Sequence, residues 1–274
     1  MKNLLHNISI LAVLVLMMES IQSCSDELQA TNDVQISFTA TLPTDTRTRS
    51  FGKAEQVNTL VVGVFDEEKT HEIQRESFSV CGTSCNITLT LAQNQTYNFV
   101  FWAYDGNQNI YNIDDLTAIT MIELPNPITF SQAEAADAFF ATKEDITVTG
   151  NSNHTIELLR PLAQINVGTT GKPMQAIFTA NSAPDTFHPF ANTVSGAADY
   201  TWSFSDITSE TFTAEGTEYK YLAMGYVFAP TTAAKISAEL TLTDGETSKT
   251  VKFPQVEIKA NSRSNIAGNF TAAE

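Results

Sequence analysis

The first residue able to do chemistry is Cys24, which directly follows an N-terminal export signal. Met1-Lys2 supplies a short positive start, and a largely apolar run covers residues 8–18. This run has the length of a signal-peptide core, whereas a membrane-spanning helix needs about 20 apolar residues. A small residue, Ser23, precedes the cysteine, as at bacterial lipoprotein junctions, where the thiol is the nucleophile that takes up the lipid. We predict a signal peptide over 1–23 and a lipidated Cys24; an ordinary signal peptide with a chance cysteine is the alternative.

Cys81 and Cys85 are the second candidates for chemistry and lie in the sequence Cys-Gly-Thr-Ser-Cys. Alternating runs typical of strands flank them at 77–80 and 86–91, which predicts a hairpin with the pair at its tip. Because an exported chain meets oxidising conditions, we predict a structural disulfide; two free thiols or a catalytic pair are the alternatives. A zinc site would need two further ligands nearby, and the sequence offers none.

The remaining residue patterns predict neither an enzyme nor a metal site. His71, His154 and His188 are isolated, and no two have metal-ligand spacing on a helix. The sequence lacks a Gly-x-Ser-x-Gly elbow and a glycine-rich phosphate loop. The polar loop at 105–116 fails the calcium-loop spacing, because Ile110 takes the position that requires glycine. We therefore predict no catalytic residues, no metal and no cofactor.

Charge and length restrict the function further. The formal net charge is -16, from 31 acidic and 15 basic residues. An acidic surface repels phosphate backbones, which argues against nucleic-acid binding. After residue 23 no run approaches 18 apolar residues, so the lipid is the only predicted membrane attachment. The chain after the signal has room for two domains of roughly 120 residues each.

Strand signals dominate the rest of the chain. The run from Val34 to Ala40 alternates apolar and polar residues, which is typical of a half-buried strand. Tyr97 to Tyr104 is apolar on both faces and predicts a central strand covered on each side. Ser131-Gln132-Ala133-Glu134 predicts a capping box that begins a short helix, with apolar residues at helical spacing up to Phe140. Many short strands at this spacing favour β-sandwiches.

Arg160-Pro161 interrupts the strand pattern and predicts a domain junction, because proline lacks the amide that a strand ladder needs. We predict a lipidated tether at 24–33, an N-terminal β-sandwich domain at 34–159 and a C-terminal β-sandwich domain at 160–274. The last predicted strand covers 265–270.

Six stretches stand out by their order along the chain: Tyr97 to Trp102, Ala138 to Ala141, Ile146 to Gly150, Leu159 to Gly168, Tyr219 to Met224 and Arg263 to Asn269. Together they resemble the fimbrillin-like lipoprotein family of Bacteroidales, which is related to the major and minor fimbrium subunits. Ser25-Asp26-Glu27 also resembles the acidic tag of surface-exported lipoproteins of Bacteroidetes. The resemblance covers nearly the whole mature chain and implies an all-β fold with two tandem transthyretin-like β-sandwich domains.

The resemblance also implies a way of assembly. In polymerising members an arginine-specific protease removes an early strand, and a strand from a neighbouring subunit fills the groove. The match places the candidate processing site at Arg47 or Arg49, in a polar loop after the strand 34–40; an uncleaved exposed turn is the alternative. At Ser262 and Ala267 the chain lacks the aromatic residue usual in the family's ending, so its terminal strand is less apolar.

These features together predict a surface-exposed lipoprotein of the outer membrane, anchored through a multiply acylated Cys24 because one lipid chain binds only marginally. It would act as a fimbrial, adhesin-like or anchor subunit, or lie in a fimbrium after processing. The predicted partners are other fimbrial subunits, the membrane and a ligand on a host or bacterial surface. The alternative is a surface glycan-binding lipoprotein with an exposed Trp102 or Trp202, and a hydrolase comes third.

Overall fold

The regular secondary structure of the described chain is almost entirely β-strand, as the alternating sequence pattern predicts. The structure is a computed structural model that describes residues 32–43, 54, 56–122 and 124–272. In these ranges the strands form five sheets, and one short helix, α1, covers Phe130–Glu134. The predicted all-β fold class with one short helix in the first half is confirmed.

The strands of the first half are β1 (Asp33–Thr41), β2 (Thr59–Phe65), β3 (Glu72–Ser79), β4 (Ser84–Ala92), β5 (Thr96–Tyr104), β6 (Tyr111–Asn112), β7 (Ile119–Met121), β8 (Phe139–Thr147) and β9 (Ser152–Glu157). Those of the second half are β10 (Leu162–Thr169), β11 (Gln175–Ala183), β12 (Thr186–His188), β13 (Thr193–Ser195), β14 (Ala198–Trp202), β15 (Thr211–Ala214), β16 (Thr217–Phe228), β17 (Ala234–Asp244), β18 (Thr247–Ile258) and β19 (Ser262–Gly268).

The first sandwich packs the sheet β4-β1-β9 against the sheet β3-β2-β5-β8. Alternate side chains of β1, among them Ile36 and Phe38, share one buried cluster with side chains of β4, β2 and β5. Phe38 lies 4.9 Å from the ring of Phe99 and 5.1 Å from that of Phe101, so aromatic contacts join the two sheets.

Strand β5 is buried on both faces, which confirms the prediction for Tyr97 to Tyr104. Phe99 and Phe101 lie in the core of the first sandwich, whereas Val100 and Trp102 lie in a second cluster that continues into the second half of the chain. The sheet β3-β2-β5-β8 therefore separates two apolar cores, and each core stabilises it from its own side.

The second sandwich packs β15-β16-β10-β19 against β14-β11-β17-β18. Strand β10 is buried along its whole length and lies between β16, which is antiparallel to it, and β19, which is parallel. A further sheet, β13-β12-β7-β6, takes two strands from each side of the predicted boundary at 159/160. Contacts join Val34–Glu274 into one compact unit. The division into two domains stays a prediction.

The helix differs from its prediction in position and length. Thr129, not Ser131, is the N-cap: its side chain accepts from the amide of Gln132, whose side chain accepts in return from the amide of Thr129. Phe139 and Phe140 belong to strand β8 rather than to the helix. Their side chains enter the two opposite cores, so burial in strand geometry overrides the helical spacing.

A buried ion pair lies at the predicted junction between the two halves. Arg160 donates from Nε and Nη2 to the two carboxylate oxygens of Asp137 at 2.6 and 2.7 Å, and both side chains are about 95% or more buried. The same guanidinium donates to Asn261 at 3.1 Å and stacks over the ring of Phe139 at 4.7 Å. Arg160 thus binds both Asp137, which follows α1, and Asn261, which precedes β19.

Replacement of Asp137 should strongly destabilise the fold. Asp137→Ala leaves the buried guanidinium without its carboxylate, and we expect a loss of about 3–5 kcal/mol in the free energy of unfolding, measured by urea denaturation. The exposed pair between Glu239 and Lys252, at 3.0 Å, provides the control, because Glu239→Ala should cost less than about 1 kcal/mol. Equal losses for the two variants would contradict the role assigned to the buried pair.

Candidate functional site

In the sequence, the predicted lipidation site precedes β1 and the predicted processing site follows it. Cys24, Arg47 and Arg49 fall outside the described residues, so lipidation and cleavage stay predictions. Strand β1 is the described element between them, and cleavage after either arginine would separate it from the rest of the chain. The site is therefore built around β1.

Strand β1 is the central strand of its sheet. Ser37 pairs with Thr88 and Thr39 donates to Asn86, both at 3.1 Å, so β1 and β4 run in opposite directions. On its other side β1 runs parallel to β9, with Phe38 opposite His154. Since both edges of β1 are hydrogen-bonded, its backbone groups are satisfied only while both neighbours stay in place.

Further hydrogen bonds hold both ends of β1. The amide of Gln35 donates to the side chain of Asn151 at 2.9 Å. At the other end the carbonyl of Thr41 accepts from the amide of Leu158, and the amide of Leu42 donates to the carbonyl of Thr83, both at 2.9 Å. The contacts thus extend beyond the strand to the point where the described chain stops, after Pro43.

Phe38 has the most specific surroundings of the β1 side chains. It contacts the rings of Phe99 and Phe101, and the imidazole of His154 is stacked on it at 5.3 Å. Burial, and after it the charge of Lys143, lowers the pKa of His154. The neutral imidazole is therefore the form that packs best against β1.

A polar cavity of about 250 Å³ opens beside His154, at the connection between β8 and β9. Most of its wall carries hydroxyl, amide or carboxylate groups, and Asn151 also binds the start of β1. The lining residues are Asp145, Ile146, Thr147, Thr149, Gly150, Asn151, Ser152 and His154.

The two cysteines lie at the other end of β1, and their surroundings differ from the prediction. Cys81 is exposed, Cys85 is buried, and both are free thiols. The predicted hairpin is limited to one antiparallel bridge between Cys81 and Ser84. A ladder between its two arms is contradicted, because β3 pairs with β2 while β4 pairs with β1, so the connection crosses between two sheets. Strand pairing is decided by distant partners that local alternation does not reveal. The disulfide stays a prediction.

Neither tryptophan offers a surface for stacking a sugar. Trp102 is fully buried and packs at 5.2 Å from the ring of Tyr111. Trp202 is 3% exposed, stacks on Phe178 at 5.8 Å and fills the space that a side chain at Gly225 would need. The expectation of an exposed tryptophan in a glycan-binding protein is therefore wrong for this chain.

The histidines are placed apart and serve local contacts. His71 contacts Asp66 at 2.9 Å, and His188 contacts the hydroxyl of Ser195 at 2.8 Å. Among the described residues no group of His, Cys, Asp and Glu could hold a metal ion. In the same part of the chain, no helix combines the length and apolar character needed to cross a membrane.

Sequence reasoning missed two residues of this site, His154 and Thr83. The alternation of Ser152, His154 and Ile156 could have indicated a strand with the imidazole beside the core. For Thr83 the sequence carries no signal, because the contact is made by its backbone carbonyl. That carbonyl accepts from the amide of Leu42, 41 residues away.

Two packed β-sandwiches, with β1 held between two sheet neighbours, define an all-β protein whose fold is similar to that of two solved Bacteroides structures. A proposed adhesin from Bacteroides thetaiotaomicron is similar with a TM-score of 0.54 at 15% identity, over 83% of this chain and 81% of that one. A proposed adhesin from Bacteroides ovatus is similar with a TM-score of 0.51 at 11% identity, over 81% and 76%. The all-β sandwich fold that the sequence resemblance implies is confirmed; the bounds of its two domains stay a prediction.

The chain belongs to DUF6562, a family of unknown function, which it matches over residues 28–274. The tip fimbrial protein Mfa3 from Porphyromonas gingivalis, solved with a C-terminal truncation, is similar with a TM-score of 0.47 at 14% identity, over 81% of this chain and 80% of that one. No curated protein matches the chain.

The stability of the fold should depend on pH through His154. Its pKa is lowered from 6.5 in the folded chain, so the unfolded chain takes up a proton first as the pH falls. We expect the free energy of unfolding to decrease from pH 7 to pH 5, and His154→Phe to remove part of this decrease while keeping a ring over Phe38. Urea denaturation at both pH values measures the effect. The same slope in His154→Phe as in the unaltered chain would contradict the prediction.

Proposed function

We propose that this chain is a surface-exposed outer-membrane lipoprotein, anchored at Cys24, that serves as a fimbrial or adhesin-like subunit and assembles by strand exchange at β1. The central position of β1 between β4 and β9 carries the proposal. Support also comes from the fold shared with proposed Bacteroides adhesins. Catalysis forms no part of this function.

Removal of β1 would leave a groove shaped for one extended strand. The facing edges of β4 and β9 would lose their hydrogen-bond partners, and the core beneath Ile36 and Phe38 would open to water. Each large apolar side chain contributes about 1.5–3 kcal/mol when fully buried. An empty groove is therefore unstable, and a strand with the same apolar alternation would restore both the ladder and the core.

The C-terminal end of the chain has the alternation that such a strand needs. Phe-Thr-Ala occurs at 38–40 in β1 and again at 270–272. With these tripeptides aligned, Ile266 corresponds to Val34, while Gly268 replaces Ile36. We propose that Ile266 to Ala272 of a second copy is the donor segment, and Phe270 its anchor in the place of Phe38.

In the single chain this segment is docked on its own second sandwich. Strand β19 pairs along one side with β10 and is an edge strand of its sheet. Beyond it, Phe270 exchanges hydrogen bonds with the hydroxyl of Thr169 at 3.1 and 3.3 Å and packs at 6.2 Å from Phe253. An edge strand has fewer partners to lose than a central one, so its transfer costs less than the transfer of β10 would.

Cleavage after Arg47 or Arg49, in the segment named the arginine loop, should be required for assembly. We expect an arginine-specific protease to remove the segment before Arg49 and the processed chain to form ladders in native gels and fibres in electron micrographs. The Arg47→Gln, Arg49→Gln double variant should remain whole and monomeric. Mass spectrometry of the N-terminus in surface material gives the processing state. An intact N-terminus at Cys24, with no higher-order species, would contradict the polymerising role and leave the anchor role.

The donor segment can be tested with a synthetic peptide of residues 262–272. The peptide should bind the processed chain and block its polymerisation, as measured by fluorescence polarisation and native gels. Replacement of Phe270 by alanine in the peptide should weaken binding by more than about tenfold, because it empties the Phe38 position. Thr271→Ala is the matched control, since the alternation places Thr271 on the outer face, as Thr39 is in β1. Equal binding of the three peptides would contradict the assignment.

A further inference from the structure

We infer that Cys81 and Cys85 form an oxidation site whose state controls how readily β1 separates from its sheet, and that its reaction partner is a protein disulfide of the thiol–disulfide oxidoreductase class. The segment 81–85 is named the cysteine loop below. The inference rests on the proposed strand exchange and gives it a control point. In the uncleaved chain the loop already binds Leu42, the residue directly after β1, so its test does not depend on polymerisation.

The cysteine loop contacts the last described residues before the arginine loop. Thr83, in the middle of the cysteine loop, accepts a hydrogen bond from the amide of Leu42 at 2.9 Å. Leu42 is 5% exposed and shares the core of the first sandwich with Cys85. Separation of β1 therefore requires this bond to break, at the end of the strand that is nearest to the proposed cleavage site.

In the reduced state few backbone bonds fix the cysteine loop. Cys81 and Ser84 form an isolated bridge, and the amide of Val80 donates to the carbonyl of Asn58 at 2.9 Å. Gly82 has a φ of 78°, and no atom lies within 4 Å of the position that a Cβ would take there. Because β3 and β4 belong to different sheets, no regular hairpin ladder supports the loop. A covalent bond between its ends would thus add a constraint that the fold lacks.

The two thiols differ in a way that suits stepwise oxidation. Cys81 is exposed and can meet another protein, whereas Cys85 is 7% exposed and its thiol lies 3.6 Å from the carbonyl of Ser79. The antiparallel bridge between Cys81 and Ser84 brings the two ends of the cysteine loop together, since Ser84 directly precedes Cys85. Burial raises the pKa of Cys85, and the neighbouring Cys81 raises it further. Cys81 is accordingly the thiol that attacks the oxidoreductase first, and Cys85 completes the reaction.

The reaction is a thiol–disulfide exchange in two steps. The thiolate of Cys81 attacks the disulfide of the oxidoreductase, forms a mixed disulfide and releases one sulfur of that disulfide as a thiolate. The thiolate of Cys85 then attacks the Cys81 sulfur, forms the Cys81–Cys85 disulfide and releases the second sulfur. The protons of the two cysteines end on the two thiols of the oxidoreductase, which is reduced as the cysteine pair is oxidised.

The disulfide closes the cysteine loop into a ring with Thr83 at its centre. The carbonyl that accepts from Leu42 then has fewer conformations available, and β4 begins at a fixed point beside β1. Oxidation should therefore keep β1 in its sheet during export, and reduction should ease its replacement.

Hydrogen–deuterium exchange of the full mature chain tests this inference. One sample is oxidised with a purified periplasmic thiol–disulfide oxidoreductase, and a second is reduced with dithiothreitol. We expect the amides of residues 36–42 to exchange about tenfold more slowly in the oxidised chain, while those of β16 are unchanged. The Cys81→Ser, Cys85→Ser double variant is the control, because its exchange should be the same under both conditions.

Two results would overturn the inference. One is the persistence of two alkylatable thiols, by mass spectrometry, after treatment with the oxidoreductase. The other is a Cys81–Cys85 disulfide that leaves the exchange of residues 36–42 unchanged. A slower exchange in a chain that never polymerises after cleavage would uphold the control of β1 and refute only the proposed assembly.

Discussion

The burial of β2 and β5, the two central strands of the sheet β3-β2-β5-β8, on both faces is the constraint on which the rest of the structure depends. Phe99 and Phe101 hold one face in the core of the first sandwich, and Val100 and Trp102 hold the other in the core continuous with the second half. The opposing sheet β4-β1-β9 has only one such attachment. A strand could therefore leave this outer sheet while the inner sheet stays fixed by its second core.

The ion pair of Arg160 and Asp137 adds a contact with a fixed orientation to this apolar support. Apolar contacts tolerate small shifts, whereas a two-bond contact between guanidinium and carboxylate fixes both distance and angle. Because Asn261 accepts from the same guanidinium, the position of the turn before β19 is set by the arginine that begins the second half. One side chain thus relates the position of the C-terminal segment to that of the junction.

The sequence predicts much of the fold because strand burial has a local signature. Tyr97 to Tyr104 is apolar on both faces and proved to be covered on both. The pairing of strands has no such signature: the parallel contact of β1 with β9 and the crossing at Cys81 depend on partners far along the chain. Phe139 and Phe140 show the same limit, since two adjacent aromatics fit a helical pattern as well as a strand between two cores. For the site, the sequence predicts the alternating strand β1, but it does not predict that β1 lies at the centre of its sheet.

The mixed pairing of β1 has a consequence for the shape of any assembly. Strand β1 is antiparallel to β4 and parallel to β9, so a strand that takes over the same two ladders enters the groove in the direction of β1. If copies join by filling this groove, each must meet the next head to tail, and the contact is of the kind that does not close on itself. The resulting filament would be polar, with an unfilled groove at one end and an unused C-terminal segment at the other. Its two ends would therefore present different surfaces to a binding partner.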